Sequence, residues 1–381
     1  MSVGDIEAAA KARFAQIPFP HKKDEYWRFA DLPAWGADGL FPFFSSSRPP
    51  EGEPCAAVRG GEKSAMGCDI VLLDGAAVSA AAPAGVEIMK MAAAYEKYPR
   101  LLEEFFASAS GKLDVFQASR AAGGVFVRVG ANAEARLSIS VISKSHISAC
   151  GAYFLLESGA RLRLSKTSLA FGGSLGASRF GFNLGEGAVL EYAQRKYSER
   201  AAQMFEREDF YTAPRARIID AMSQEGLAPS RSERNFYING EGVEVDSRVF
   251  LRPRGNITAD LRTRQIHSAP ASKSNLQVKA AIADTAAIAF TGLIDVCESA
   301  QKTEAYQSCR SVLLSPEAKS QASPILEICA NDVLCSHGCT VAEPDKEQLF
   351  YMRSRGLTLE TAREMLVESF ANSTFAHVGD I

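Results

Sequence analysis

From Val125 onward the chain runs in short stretches that alternate apolar and polar residues, and no helical pattern interrupts them before the C-terminal segment. The runs Val125-Phe-Val-Arg-Val129, Leu137-Ser-Ile-Ser-Val141, Leu162-Arg-Leu164, Val243-Glu-Val245 and Leu276-Gln-Val278 each put alternate side chains on opposite faces, as a half-buried strand requires. Turn-forming residues fall between them at Gly130, Gly151, Gly159, Gly185, Gly187, Gly255 and Asn256. Many strands without crossover helices leave three architectures: a sandwich, a barrel or a solenoid. A long single series with turns of irregular length fits a solenoid best, although no strict residue repeat is visible.

The ends of the chain read differently. Ile6, Ala9, Ala10 and Phe14 keep helical spacing, and Val86 to Ala107 is expected to be helical as well, with a break at Pro99. Trp27, set among charged residues in Glu25–Leu32, is expected to anchor the N-terminal part, and Arg48 to Ser64 reads as a loop. The alanine-rich Ala76–Ala84, interrupted by Pro83, is expected to be a flexible connection rather than a membrane span. A boundary near Leu113 divides the chain into a mostly helical region 1–113, a strand-built core 114–343 and a helical tail 344–381. In the tail, Asp345 with Gln348 three residues on forms an N-cap and capping-box pattern worth about 1 kcal/mol, opening a helix that ends at Gly356. Thr358 then caps a second helix carrying Leu359, Ala362, Leu366 and Phe370 on one face.

The chemistry-bearing stretch lies just before that tail. Alternation along Val333-Leu-Cys-Ser-His-Gly-Cys-Thr-Val341 puts Val333, Cys335, His337, Cys339 and Val341 on one strand face. Thiol and imidazole together suit iron–sulfur clusters, zinc or copper. Neighbouring members of the row are about 6.6 Å apart at Cα, so two can lean onto one metal while a third ligand must come from elsewhere. The competing reading makes the cysteines small buried apolar residues and His337 a hydrogen-bonded core histidine.

The combination LEICANDVLCSHGCTV, EQLFYMRSRGL and ETAREMLVESF resembles the C-terminal signature of the SufB/SufD family, scaffold subunits of the SUF iron–sulfur cluster assembly machine. The resemblance extends upstream from Phe290 to Ile328 and, more weakly, to KKDEYWRFADL around Trp27. Within the family the chain looks more like the SufD branch: it is short, has no cysteine-rich N-terminal motif, and carries Cys-Ser-His-Gly where SufB tends to read His-Glu. The resemblance implies a right-handed parallel β-helix flanked by helical ends. It also implies heterodimerisation with SufB at the C-terminal end of the β-helix, and docking of the SufC ATPase on the helices of Lys346–Phe370. Cys335 and His337 would face a nascent iron–sulfur cluster or iron, held transiently at that interface. Cys339 stands where relatives usually carry alanine, and is kept as a candidate third ligand or a packed small residue.

Other classes are weighed on the residues. Phe171–Arg179 is glycine-rich but lacks the Lys-Ser/Thr of a P-loop and reads as β-turns, and no GxxxxGK[ST] occurs, so the chain is not expected to bind ATP. A formal net charge of -3 supplies no field for nucleic acid or an anionic membrane. The scattered cysteines and an N-terminus without an apolar signal core suggest a reducing, cytoplasmic setting. Arg252, Arg254, Arg262, Arg264 and His267 read as a solvated solenoid face sooner than an anion site, and His21, His146 and His377 have no ligand pattern beside them. Carboxylate pairs such as Glu206 and Asp209 are too common to imply acid–base chemistry. The expected function is a non-enzymatic scaffold. The alternatives are a homodimeric metal-binding solenoid, the form the isolated chain could take, and a carbohydrate-active β-helix enzyme, for which no stacked acidic set is visible.

Overall fold

The structure, a computed structural model, describes residues 2–18, 27, 68–79, 82–109, 111–120, 123–144 and 147–376. Its core is a parallel β-solenoid of about eight turns. One sheet stacks β5 (Glu134–Ser143), β7 (Arg161–Ala170), β9 (Val189–Ser198), β11 (Arg217–Gly226), β13 (Glu244–Pro253), β15 (Lys273–Ile282), β17 (Thr303–Leu313) and β19 (Val333–Ala342). The facing sheet stacks β4 (Val125–Val129), β6 (Ile147–Leu156), β8 (Leu175–Leu184), β10 (Gln203–Thr212), β12 (Ser230–Ile238), β14 (Thr258–His267), β16 (Ala287–Val296) and β18 (Lys319–Ile328). Every neighbouring pair within these two series is parallel.

What repeats is a backbone conformation, not a residue. At one corner of successive turns Asn132, Gly159, Gly187, Arg215, Gly242, Ala271 and Lys302 adopt φ of 56–70°. Each donates its N–H to a carbonyl one turn further on, from Asn132 to Ser158 at 3.0 Å through to Lys302 to Asp332 at 2.6 Å. Because non-glycine residues tolerate this left-handed geometry at a modest cost, arginine, alanine and lysine stand where a strict motif would need glycine. The repeat is therefore invisible as text.

Strand alternation fills the lumen. Phe154, Phe182, Phe210 and Phe236 occupy one register column and stack with ring centroids 5.0, 4.8 and 4.7 Å apart. Beside this ladder lies a set of ions with no access to solvent. Lys166 Nζ is 3.2 Å from both Glu206 and Glu208, Lys196 pairs with Glu206, and Arg234 binds Glu208 at 2.9 Å and Asp220 at 2.5 Å. Burial opposes the charge on Glu206, but the Lys166 and Lys196 ammoniums more than offset it and hold the carboxyl down at about 2.

Helices cover both outer faces. α1 (Val3–Gln16) is held by Lys112, whose ammonium donates to the Phe14 and Ile17 carbonyls at 2.5 and 2.8 Å. With α2 (Met91–Lys97), α3 (Pro99–Ala107) and α4 (Lys112–Ala118) it closes an apolar cluster over the sheet that begins with β4. Trp27 belongs to that cluster and lies 4.0 Å from the Arg231 guanidinium, as its expected anchoring role requires. α5 (Lys346–Ser354) and α6 (Leu359–Phe375) follow β19, and α6 lies on the opposite sheet through Val367, Phe370 and Ala371 against Phe250, Ala281 and Leu314.

Several local expectations are corrected. Val86–Lys90 is not helix but β3, paired antiparallel with β4, and the helix starts only at Met91; Val86, Ile88 and Met89 serve the lumen or the cluster above it as strand residues. Part of the alanine-rich segment, Ala76–Ser79, is β2, a strand antiparallel to β1 (Ile70–Leu73), which itself joins β5. Gly151 lies within β6 rather than in a turn, where a Cβ would sit 3.5 Å from the Arg179 carbonyl of the next strand. The turn at Phe171 ends by Leu175, so Ser178 and Arg179 belong to β8. The expected strands at Val125, Leu137, Leu162 and Leu276 all occur, and that at Val243 starts one residue later. Leu113 lies inside α4. His21, His146, His377, Cys55 and the Arg48–Ser64 loop lie outside the described residues.

Candidate functional site

Among the described residues both sheets stop at one end without a cover. There β19 is the last strand of its sheet, bonded only to β17, and β18 is the last of the other, bonded only to β16. The outer edge of each carries backbone N–H and C=O groups without strand partners, the arrangement that recruits another strand. Leu334 and Val341 on β19 and Ile325 and Ile328 on β18 are exposed beside those edges. Pro324 sits on this rim, where a residue without an N–H costs the ladder least.

Alternation places the site residues as expected. Cys335, His337 and Cys339 stand in register with Ala305, Gln307 and Cys309, which are all buried on the luminal side of β17. The three ligand-type side chains therefore continue interior columns of the solenoid, yet His337 and Cys339 are exposed and Cys335 half-buried, because no further turn lies over them. The fully buried reading of these residues is thus set aside. Burial pushes the Cys335 thiol up, partly offset by a backbone hydrogen bond with Ala305, and burial likewise raises Cys339. Cys309 is pushed up to about 12 by burial and by the Cys339 thiol beside it. To act as ligands these thiols must lose a proton when metal arrives.

Among the described residues no three His, Cys, Asp or Glu side chains converge closely enough to hold a metal ion. Cys335 and His337 have the donor chemistry for iron and stand at an open rim, so they fit part of a coordination sphere. The described cysteines are all free thiols.

His267 is elsewhere and has another task. It is fully buried, its ring nitrogens 2.7 and 2.8 Å from the Ser272 and Ser274 hydroxyls, and burial lowers its pKa to about 4. The arginines near it do not form one solvated face: Arg252 binds Glu364 of α6, Arg262 is buried 3.8 Å from Asp260, and Arg254 is half-exposed. Glu206 and Asp209, read as unremarkable carboxylates, are buried ion partners, Glu206 of two lysines and Asp209 of Arg179 at 2.9 Å and Arg207 at 3.0 Å. One residue that the sequence reading passed over is Gln307, buried one strand below His337. Its parity on β17, two positions from Cys309 and two from Ala305, marks it as luminal.

In α5, the Asp345 side chain accepts from the Glu347 and Gln348 amides at 2.8 and 3.3 Å, so the N-cap forms, while the expected capping box does not: the Gln348 side chain does not return to the Asp345 N–H. In α6 the buried residues are Ala362, Val367 and Thr374, with Leu366 and Phe370 half-buried, while Leu359 is exposed. The contact face thus centres one residue away from the expected stripe. Phe350, Tyr351, Leu359 and Met365 point away from the solenoid contact and are exposed. No helix among the described residues is long and apolar enough to cross a membrane.

The structure thus defines a parallel β-solenoid protein with helical ends, whose last turn carries cysteine and histidine at an open rim. Residues 141–370 match the family described as SUF system FeS cluster assembly, SufBD core domain, and the chain belongs to that family. It is 31% identical over 194 residues to the iron–sulfur cluster assembly protein SufD of Escherichia coli, covering 51% of this chain and 46% of that protein. It is also 31% identical over 149 residues to SufD of Bacillus subtilis, 39% of this chain and 34% of the relative. A third relative, the chloroplastic protein ABCI7 of Arabidopsis thaliana, is 36% identical over 136 residues, 35% of this chain and 25% of that one. The matched part spans less than half the length of each of these relatives.

Proposed function

We propose that this chain is a non-enzymatic scaffold subunit that helps to build iron–sulfur clusters in a SufB–SufC–SufD type of complex in the cytoplasm. The observation that carries the reading is the uncovered last turn, where β18 and β19 leave open edges and Cys335 and His337 continue luminal columns into solvent. A SufB partner adding strands to these edges would satisfy the backbone, cover Leu334, Val341, Ile325 and Ile328, and supply the ligands this chain lacks. Cys335 would give a thiolate and His337 an imidazole to the nascent cluster, which is cargo here.

The tail fits a second contact. One face of α6 is occupied by its own solenoid, and the exposed Phe350, Tyr351, Leu359 and Met365 offer the SufC ATPase an apolar surface. Hydrolysis by SufC, carried through α5 and α6, would shift the solenoid relative to its partner and open the junction. A second copy of this chain on the same edges is the competing occupant, and the experiment separates the two.

Co-expression with the SufB and SufC subunits, followed by anaerobic reconstitution, tests the reading. Parent chain is expected to co-purify as a heteromeric complex and form cluster. Cys335→Ala and His337→Ala are expected to co-purify equally well and lose cluster formation. Normal cluster yield from the double variant, or stoichiometric zinc in a homodimer that ignores SufB, would overturn it.

A further inference from the structure

Gln307 is 3% exposed and spans the lumen from β17 to the facing sheet, where its Nε2 donates to the Gly292 carbonyl at 3.2 Å. A carbonyl can only accept, so the amide's NH2 end must face Gly292 and its oxygen is the other end. That oxygen, Oε1, is buried and has no hydrogen-bond partner. An unmet buried acceptor costs about 1–3 kcal/mol, and such groups are rare unless a partner arrives. The neighbourhood is built around this amide. A Cβ on Gly292 would lie 2.4 Å from Oε1 and 2.5 Å from Nε2, so only glycine leaves room for it. Thr263, which pairs with Gly292 one strand deeper, leaves its own hydroxyl unpartnered and does not satisfy the amide oxygen.

The residue directly above Gln307 in register is His337, about 4.8 Å away along the stack. Above Gly292 stands Pro324, which has no N–H to give. We infer that Gln307 is a positioning residue for His337: the exposed imidazole, not bonded to Gln307 in the structure, turns into the mouth of the lumen, where the unpartnered Oε1 accepts its N–H and fixes which ring nitrogen keeps a lone pair for the cargo. This rests on the reading of His337 as a ligand. A neutral imidazole has one N–H and one lone pair, so holding the N–H against the buried amide leaves the other nitrogen as the metal-binding one. An amide suits the task because its oxygen orients the ring by a hydrogen bond without adding a charge to the lumen.

The test is the tautomer of His337 in the isolated, metal-free full chain. Ring nitrogens of the 15N-labelled protein are observed by NMR at pH 8, with His337 assigned by its loss in His337→Ala. Parent is expected to show one tautomer, with one pyrrole-type and one pyridine-type nitrogen, and Gln307→Leu the averaged pair of free histidine. Gly292→Ala, which displaces the amide without touching His337, is expected to average the pair as well, and Gln307→Glu to restore a single tautomer. An averaged pair in the parent overturns the inference, and needs no variant to fold. In the reconstituted complex Gln307→Leu is expected to weaken metal retention about 10- to 100-fold. The two readings fail separately: unchanged cluster yield in His337→Ala removes the ligand role, whereas lost yield with an averaged parent tautomer removes only the role of Gln307.

Discussion

Asp220 and His337 occupy the same interior column of the same sheet. The column runs Leu137, Leu164, Tyr192, Asp220, Ser247, Leu276, Gln307, His337 from strand to strand. In mid-solenoid Asp220 has no exposure and is held by both terminal nitrogens of Arg234 and by the Ser247 hydroxyl at 2.7 Å. At the open turn His337 is exposed, and the group beneath it keeps an acceptor unmet. The difference teaches that one backbone scaffold serves two purposes by burial alone. Charged groups inside must be paired within the chain, because an unmatched buried charge costs several kcal/mol. At the last turn that demand lapses, and ligand-type side chains can wait for a partner.

The sharpest way to break the comparison is to remove an inner ion. Arg234→Met takes from Asp220 the guanidinium that binds it and leaves Glu208 with Lys166, and a loss of about 3–5 kcal/mol is expected in urea unfolding; a loss under 1 kcal/mol would mean that the buried ions are not matched as described. Next comes acid. Although burial opposes its charge, Glu206 is held at about 2, well below the ordinary 4.5 of a free glutamate, by the Lys166 and Lys196 ammoniums. A depressed carboxyl contributes stability that is fully present above pH 4.5 and disappears as pH falls toward 2, on the order of 3 kcal/mol. Glu206→Gln should flatten that part of the stability-against-pH curve. Smaller still, Thr358→Ala removes the side chain that accepts from the Thr361 amide at 3.1 Å, and should cost about 1 kcal/mol, seen as faster hydrogen exchange in α6. Smallest for folding are Cys335→Ala and His337→Ala, expected to move stability by about 0.5 kcal/mol each, because His337 is exposed and Cys335 is only half-buried at the rim of the last apolar cluster. The contrast between Arg234 and His337 is the prediction; equal losses would erase it.

Much of this was legible in the sequence. Alternation placed β4, β5, β7, β13, β15 and β19, and the parity of Val333 to Val341 placed Cys335, His337 and Cys339 on one face, because side-chain direction in a strand is set by backbone geometry alone. The turn repeat was not legible, since Arg215, Ala271 and Lys302 hold the same left-handed corner as Gly159 and Gly187. The luminal ions were missed for a related reason: Lys166 shares the parity of Leu162 and Leu164, but a charged residue reads as solvated until its partners Glu206 and Glu208 on β10 are known. Val86–Lys90 was taken for helix because the apolar spacing of a short run suits either period, and only pairing with β4 decides it.

The account stands on the last turn being an edge that another subunit continues. Hydrogen exchange of the backbone amides of β18 and β19, measured on the chain alone and after mixing with SufB, examines that directly. Slowed exchange in Lys319–Ile328 and Val333–Ala342, with the inner strands unchanged, is the predicted result. Equal exchange of both edge strands in the two samples, with SufB bound elsewhere or not at all, would contradict it.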